Sequence, residues 1–504
     1  MFFPSAAFLK KIVSKTGDFI AIYQKKFQLF SFFFLFYQIT TDVGIFLQKI
    51  HNLFKFLFRC AAEIFCYTKI QNDTKGDHTL ELTSRICEKL AEQTAQKLFE
   101  SRYENASAQP RRYLETVRGF EKAFGLEREA ALFSSPGRCE IIGNHTDHQM
   151  GRAIAAAVTL DMAAAASPNG THTIRVVSEG YSVSVVELDD LAPRIREAGT
   201  PSALIRGVAA GLTRLGFSPA GFDAYVSSQL PSGAGLSSSA AFECLIGSIL
   251  NLFFCGGRLS PVQIAQAGRF AESEYFGKPC GLMDQLACAT GGFAAMDFAD
   301  LSAVQVRKLS FSPQQHGLCL FSVHTGGSHA DLTSQYAAIP DEMKSVAAFF
   351  GQPVLRQVPE DMFWARIGEL RGQVSDRAIL RAIHFFKEDL RAAALSEALA
   401  QNDIPRILAL FSASGRSSQQ LLQNAWPDGD SKERGLSLAL ALSGYLLQDE
   451  GACRIHGGGF AGSILALVPQ KMAAVYRQKM ESAFGLGSCR QLFIRPVGAG
   501  EILI

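Results

Sequence analysis

The chain has 504 residues, 48% hydrophobic and 19% charged, an ordinary globular balance with enough length for a large core. Its 49 Lys and Arg against 47 Asp and Glu leave a formal net charge of +2, which argues against a nucleic-acid partner. The eleven cysteines include no CxxC pair, and Cys60 and Cys66 lie too far apart for the usual zinc spacing, so they read as reduced thiols.

Residues 1–76 stand apart as a Phe-rich, basic extension. The most apolar run, Phe27 to Ile39, is shorter than the roughly 20 residues a membrane span needs. Lys15 and Asp18 interrupt any signal-peptide core. Two readings remain open. One is an amphipathic helix on a membrane surface around Ile45 to Phe58, the chain's one route to membrane contact. The other is an extension foreign to the fold, as from a start codon set too far upstream.

Residues 77–125 read as a helical lead-in. Leu82, Ile86 and Leu90, then Tyr113, Val117 and Phe120, recur at helical spacing, with Pro110 as a break between two helices. From Ala131 on, β-like runs, Gly-rich turns and helices alternate, which predicts a mixed α and β architecture. A change of texture divides 126–315 from 316–504 as two domains.

Four stretches carry chemistry. The first is Ser135-Pro136-Gly137-Arg138, at a turn opening a strand, followed by Asn144, His145, Asp147 and His148 in one short loop. Such a loop offers many donors and acceptors, as sugar recognition requires; a metal site and a plain polar turn are its rivals. The second is Pro231-Ser232-Gly233-Ala234-Gly235-Leu236-Ser237-Ser238-Ser239, between a β-like run (Phe222 to Leu230) and a helical run (Ala240 to Phe254). Strand, glycine turn and helix N-terminus together cradle phosphate; a serine N-cap on an ordinary helix is the bland alternative. No Walker A loop is present, since Gly277-Lys278-Pro279 lacks its spacing. The third stretch runs from Glu272 to Asp284. It offers two carboxylates, one suited to a general base and a second to Mg²⁺, although Asp284 also fits a helix N-cap. The fourth, His456-Gly457-Gly458-Gly459-Phe460-Ala461-Gly462, fits GxGxxG by spacing, but Ser463 to Val468 reads as a strand. That makes it a glycine turn between strands, either covering a ligand or purely structural.

In this order the stretches resemble the galactokinase family of the GHMP kinase superfamily. The family's GRVNLIGEHTDYNGG reads GRCEIIGNHTDHQMG here, and its PxGxGLSSSAA reads PSGAGLSSSAA. Its CGIMDQ becomes Cys280-Gly281-Leu282-Met283-Asp284-Gln285, and its GxGFGG-like turn becomes GGGFAG. The resemblance runs from about Phe133 to the C-terminus.

It implies an α+β, two-domain fold. The N-terminal domain would resemble the ribosomal S5 domain 2-like fold and the C-terminal domain would be ferredoxin-like, with the site between them. It also implies a cytoplasmic enzyme that uses ATP and Mg²⁺ to phosphorylate α-D-galactose at C1. By position, Asp284 matches the family's catalytic aspartate and Arg138 the arginine that steadies it. Gly233, Gly235, Ser237 and Ser238 would cradle the nucleotide phosphates, and Ser239 and Glu272 would hold the metal. Arg138, Asn144, His145, Asp147, Gly281, Asp284 and Tyr336 would face the sugar. Two positions depart from the family: Asn144 replaces its Glu and His148 its Tyr. These keep another sugar open (N-acetylgalactosamine, galacturonate or arabinose); a sensor that binds sugar and ATP without catalysis is a separate alternative, against which the intact Ser238-Ser239-Ala240, Asp284 and Arg138 argue.

Overall fold

A computed structural model describes residues 80–231, 235–278, 280–326, 332–429, 432 and 434–504. The Phe-rich extension and Gly233 therefore lie outside the described residues. The lead-in forms β1 (Glu81–Leu82), α1 (Thr83–Ala91) and α2 (Gln109–Phe124). Leu82 belongs to the short strand rather than the helix. Pro110 sits in the first turn of α2, where its missing N–H costs nothing, so it starts that helix and the break lies upstream.

The first sheet has nine strands. Its spine is β2 (Glu129–Ile142) against β3 (Arg152–Pro168). The far half of β3 pairs with β6 (Phe222–Ser228), and its near half pairs with β7 (Phe293–Asp297). β4 (Thr173–Ser178) lies parallel to β6, with β5 (Ser184–Glu187) beyond it, and β8 (Gln305–Leu309) edges β7. Side chains of a strand alternate between faces. Ala163 and Ala165 accordingly meet Ile86, Leu90, Tyr113, Val117 and Phe120 of α1 and α2. Ala164 and Ala166 share the opposite core with α3 (Pro201–Arg214), α4 (Ser238–Phe254), α5 (Pro261–Ala271) and α6 (Met283–Thr290). A run of alanines lets helices approach both faces closely.

The second sheet is antiparallel, in the order β10 (Ala452–His456), β11 (Ser463–Pro469), β9 (Leu318–His324), β12 (Cys489–Leu492). Helices join β9 to β10, β10 and β11 form a hairpin, and a helix joins β11 to β12. That is the ferredoxin-like βαββαβ order. Ile464, Ala466 and Val468 pack beneath α12 (Gly435–Leu447) and α13 (Ala473–Phe484). Leu465 and Leu467 join the core that contains residues of α10 (Asp376–Gln401) and α11 (Ile404–Ser417). The connection from β9 also carries α7 (Thr333–Phe349), α8 (Glu360–Ala365) and α9 (Ile367–Leu370).

One strand crosses the expected division at 315/316. The last strand, β13 (Gly500–Ile502), returns to the first sheet and pairs with β2 at Leu132–Ser134. Arg495, fully buried, ties that return to Asp161 of β3 at 3.0 Å. No helix of the described residues is long and apolar enough to cross a membrane.

Candidate active site

The sequence suggests a Pro-Gly turn before Arg138. Instead β2 runs straight through Pro136 and Gly137, with a register slip between Pro136 and Arg138. Pairing with β3 overrides the local turn preference, and the bulge absorbs the proline. Arg138 donates its backbone N–H to Leu236 O at 3.0 Å. Its guanidinium grips Asp284 in a fork, Nε to Oδ1 at 2.6 Å and Nη2 to Oδ2 at 2.5 Å, while Nη1 bonds Gly235 O.

Asp284 sits in the first turn of α6 and caps nothing. Its Oδ2 also accepts from Ser237 Oγ at 2.6 Å. Burial resists ionisation of Asp284, but the Arg138 charge and hydrogen bonds, with Ser237, outweigh it and hold its pKa below the usual carboxylate value. Ser237 takes a left-handed φ of +55° just before α4, and Ser238 is that helix's first residue. Gly235 is also left-handed, at φ +76°. The open end of α4, with its unpaired N–H groups, therefore lies beside the Arg138–Asp284 pair.

Glu272 closes α5 and opens one π turn, Glu272–Phe276. Its Oε1 accepts from Ser239 Oγ and Lys278 Nζ, both at 2.9 Å, and its Oε2 accepts from Gln285 Nε2 at 2.9 Å. Gln285 Nε2 also reaches Glu243 Oε2 at 2.9 Å. Burial first, then Glu272, pushes the pKa of Glu243 well up. Sequence reasoning missed Glu243, Gln285 and Lys278. The signal for Glu243 is a lone carboxylate inside the apolar run Ala240 to Leu250; Lys278 stands in Gly277-Lys278-Pro279, whose only sequence signal is a failed Walker spacing.

The polar loop meets the glycine hairpin between β10 and β11. Asn144, fully buried, donates to Glu140 Oε1 (3.0 Å) and Gly457 O (2.7 Å). Its Oδ1 accepts from Ser418 Oγ (3.2 Å) and Asn424 Nδ2 (2.8 Å). His145 Nε2 lies 3.0 Å from Gly458 O, and Tyr336 Oη donates to Gly459 O at 2.8 Å. Burial lowers the His145 pKa to about 4, so the ring is neutral and donates to that carbonyl. A Cβ on Gly281 would fall 1.5 Å from Asp147 Oδ2, so glycine alone permits this approach. Burial, then Asp284 and Glu140, pushes the Asp147 pKa up to about 6.

The expected residues thus gather in three neighbouring groups: Arg138, Gly235, Ser237 and Asp284; Ser239 and Glu272; and Asn144, His145 and Tyr336 along the hairpin, with Asp147 against Gly281. The pairing of His145 with His148, 3.2 Å apart, uses nitrogens that a metal would need. No group of three or more metal-ligating His, Cys, Asp or Glu is present among the described residues.

Two family models match the chain. GHMP kinases N terminal domain covers residues 203–292, and the galactokinase galactose-binding signature covers residues 118–168. Among solved structures, Lactococcus lactis galactokinase complexed with galactose is similar at 22% identity and a TM-score of 0.66, covering 77% of this chain and 98% of that one. The Methanococcus jannaschii mevalonate kinase aligns at 14% identity and a TM-score of 0.51, covering 73% and 98%. The Streptococcus pneumoniae phosphomevalonate kinase, in complex with phosphomevalonate and AMPPNP, aligns at 12% and 0.50, covering 72% and 99%. At such identities the likeness is one of fold.

Proposed function

We propose that this chain, which matches the GHMP kinases N terminal domain and the galactokinase galactose-binding signature, is a galactokinase-type GHMP kinase that transfers the γ-phosphoryl group of ATP to the C1 hydroxyl of α-D-galactose. The products are α-D-galactose 1-phosphate and ADP. The observation that carries this reading is the Arg138–Asp284–Ser237 knot at the open end of α4.

Phosphoryl transfer asks little covalent chemistry of a protein; positioning and charge stabilisation do most of it. Asp284, kept ionised by Arg138, is an acceptor for the proton of the sugar hydroxyl. The bond from the γ-phosphorus to its bridging oxygen breaks as the bond to the sugar oxygen forms. Arg138, held in place by Asp284, would offer a cation to the charge that moves, and the N–H groups opening α4 would add to it. Gly235, Ser237 and Ser238, with Gly233, would contact the nucleotide phosphates.

Ser239 Oγ and the Glu272 carboxylate are adjacent oxygen donors, which suits Mg²⁺. When bound there, the ion would neutralise phosphate charge. Asp147, His145, Gly281 and Tyr336 would face the sugar. Asn144 would act through the hairpin, because both its amide donors and its carbonyl oxygen are already engaged. The supply of ATP and nine free thiols among the described residues fit a cytoplasmic setting.

The test is ADP release with Mg·ATP across galactose, N-acetylgalactosamine, galacturonate, arabinose, glucose and mevalonate, with Asp284→Asn as the control. Turnover on galactose above all others, abolished in the variant, is expected. Preference for another sugar would overturn the galactose assignment and keep the kinase. Sugar binding without turnover on any substrate would overturn the kinase and leave a sensor.

A further inference from the structure

Side chains of β10 alternate between two environments. Ile455 packs into the core beneath α12 and α13, while Arg454 reaches Glu140 of the first sheet at 2.8 Å. His456 lies on the Arg454 face and ends at the phosphate loop: its Nδ1 lies 3.2 Å from where a Cβ on Gly235 would stand. The residue is 2% exposed, and neither Nδ1 nor Nε2 has a hydrogen-bond partner among the described residues. Its neighbours are engaged, Arg138 with Asp284 and Gly235, and Asn144 with the hairpin. Burying an imidazole with both bonds unmade is costly, and an apolar side chain would fill the space without that cost. An unmade bond that points at a phosphate loop implies a missing acceptor.

We propose that His456 is a phosphate-binding residue of this site, donating a ring N–H to a phosphate oxygen of ATP held by the loop. The proposal rests on the kinase reading above. Burial, followed by the nearby Arg138 and Arg454 charges, keeps the imidazole neutral. A neutral ring can donate one hydrogen bond beside Arg138 without repelling it. Gly235 permits the contact by having no side chain between ring and loop.

Calorimetric titration of the whole chain with AMPPNP, and separately with galactose, tests this in wild type, His456→Ala and His456→Asn. A hydrogen bond to a charged acceptor predicts about a tenfold rise in the AMPPNP dissociation constant for the alanine variant. The asparagine variant, which restores an N–H, should recover most of it, and galactose binding should stay within about twofold throughout. Unchanged AMPPNP binding in the alanine variant would overturn the proposal, as would a loss of galactose binding equal to that of nucleotide. If the variants do not fold, nitrogen NMR of the wild-type imidazoles decides. AMPPNP should move one His456 ring nitrogen, and no movement would overturn the proposal. Failure of wild type to bind AMPPNP would remove the kinase reading itself, whereas equal binding by wild type and His456→Ala removes only the role of His456.

Discussion

The phosphate-loop end of the site and the glycine-hairpin end use polar side chains in opposite ways. At the loop, polar side chains bond mainly to one another: Arg138 to Asp284, Ser237 to Asp284, Ser239 and Lys278 to Glu272. At the hairpin each also reaches a backbone carbonyl: Asn144 that of Gly457, His145 that of Gly458, Tyr336 that of Gly459. A side-chain pair can exchange one partner for a ligand at little cost, because the lost bond is replaced in kind. A bond to a glycine carbonyl fixes a loop, and giving it up would leave that carbonyl bare. The loop end is built to hand over its contacts, and the hairpin end to hold a surface still.

Substitutions at the two ends should therefore fail differently. The largest effect belongs to Asp284→Asn. Losing the proton acceptor should lower kcat about 10³-fold, while circular dichroism and galactose affinity stay near wild type. A matching loss of stability would place Asp284 in the scaffold instead. On the hairpin side, Arg454→Met should do the reverse. It strands the buried Glu140 carboxylate, which accepts from Arg454 Nη2 at 2.8 Å, and should cost about 3–5 kcal/mol in urea denaturation. Below its unfolding transition the variant should keep kcat within about tenfold. Collapse of turnover at full stability would break the distinction between the two ends.

The sequence made the loop end far more legible than the hairpin end. Strand, glycine turn and helix around Gly235 to Ser239 follow one another in the chain, so local rules reach them. Asp284 lies 12 residues past Glu272 within the same stretch. The partner of Glu140 lies 314 residues downstream, and Asn144 meets Gly457 across 313. No local period records such a pair. The straight passage of β2 through Pro136-Gly137 was hidden for a similar reason, since turn chemistry is local and pairing with β3 is not. The return of β13 to β2 is a three-residue contact with no pattern of its own. His456 looked like part of a glycine turn, and only the fold shows that its ring meets Gly235.

Asp147 tests the boundary between the two ends through pH. Its folded pKa of about 6 stands above the ordinary value of 3.8, so the folded state holds its proton more tightly than the unfolded chain. Stability from this group is fully present below about pH 4 and is lost as pH rises through 6. Relative to Asp147→Asn, wild type should lose roughly 2–3 kcal/mol between pH 4 and pH 6, read from urea midpoints. His145 titrates with the opposite sign. Its folded pKa of about 4 means that the unfolded chain takes up protons first as pH falls from 6.5, and stability drops. The two slopes offset each other in wild type, so Asp147→Asn should show a protein that is steadily weakened by acid. If Asp147 binds the sugar as a carboxylate, the galactose KM of wild type should also rise as pH falls below about 6. A flat KM would assign Asp147 to the scaffold.

Lys278 gives the smallest effect and the finest test of which contacts can be handed over. Its side chain is 61% exposed, so the ion pair with Glu272 contributes at most about 1 kcal/mol to stability. Lys278→Met should leave the urea midpoint almost unchanged. Its charge, however, shares Oε1 of Glu272 with Ser239, the oxygen proposed for Mg²⁺. A unit charge about 4 Å from a divalent ion opposes it by about 2 kcal/mol even in water, before salt screens it. Removing that charge should lower the half-saturating Mg²⁺ concentration about tenfold, measured at saturating ATP and galactose. If Lys278 instead leaves Glu272 for the phosphates when ATP enters, the same substitution should raise the KM for ATP and leave the Mg²⁺ dependence flat. Lys278 would then be the group at the loop end that is itself handed over, because its long stem and exposed position make that move cheap, as the buried Arg138 cannot.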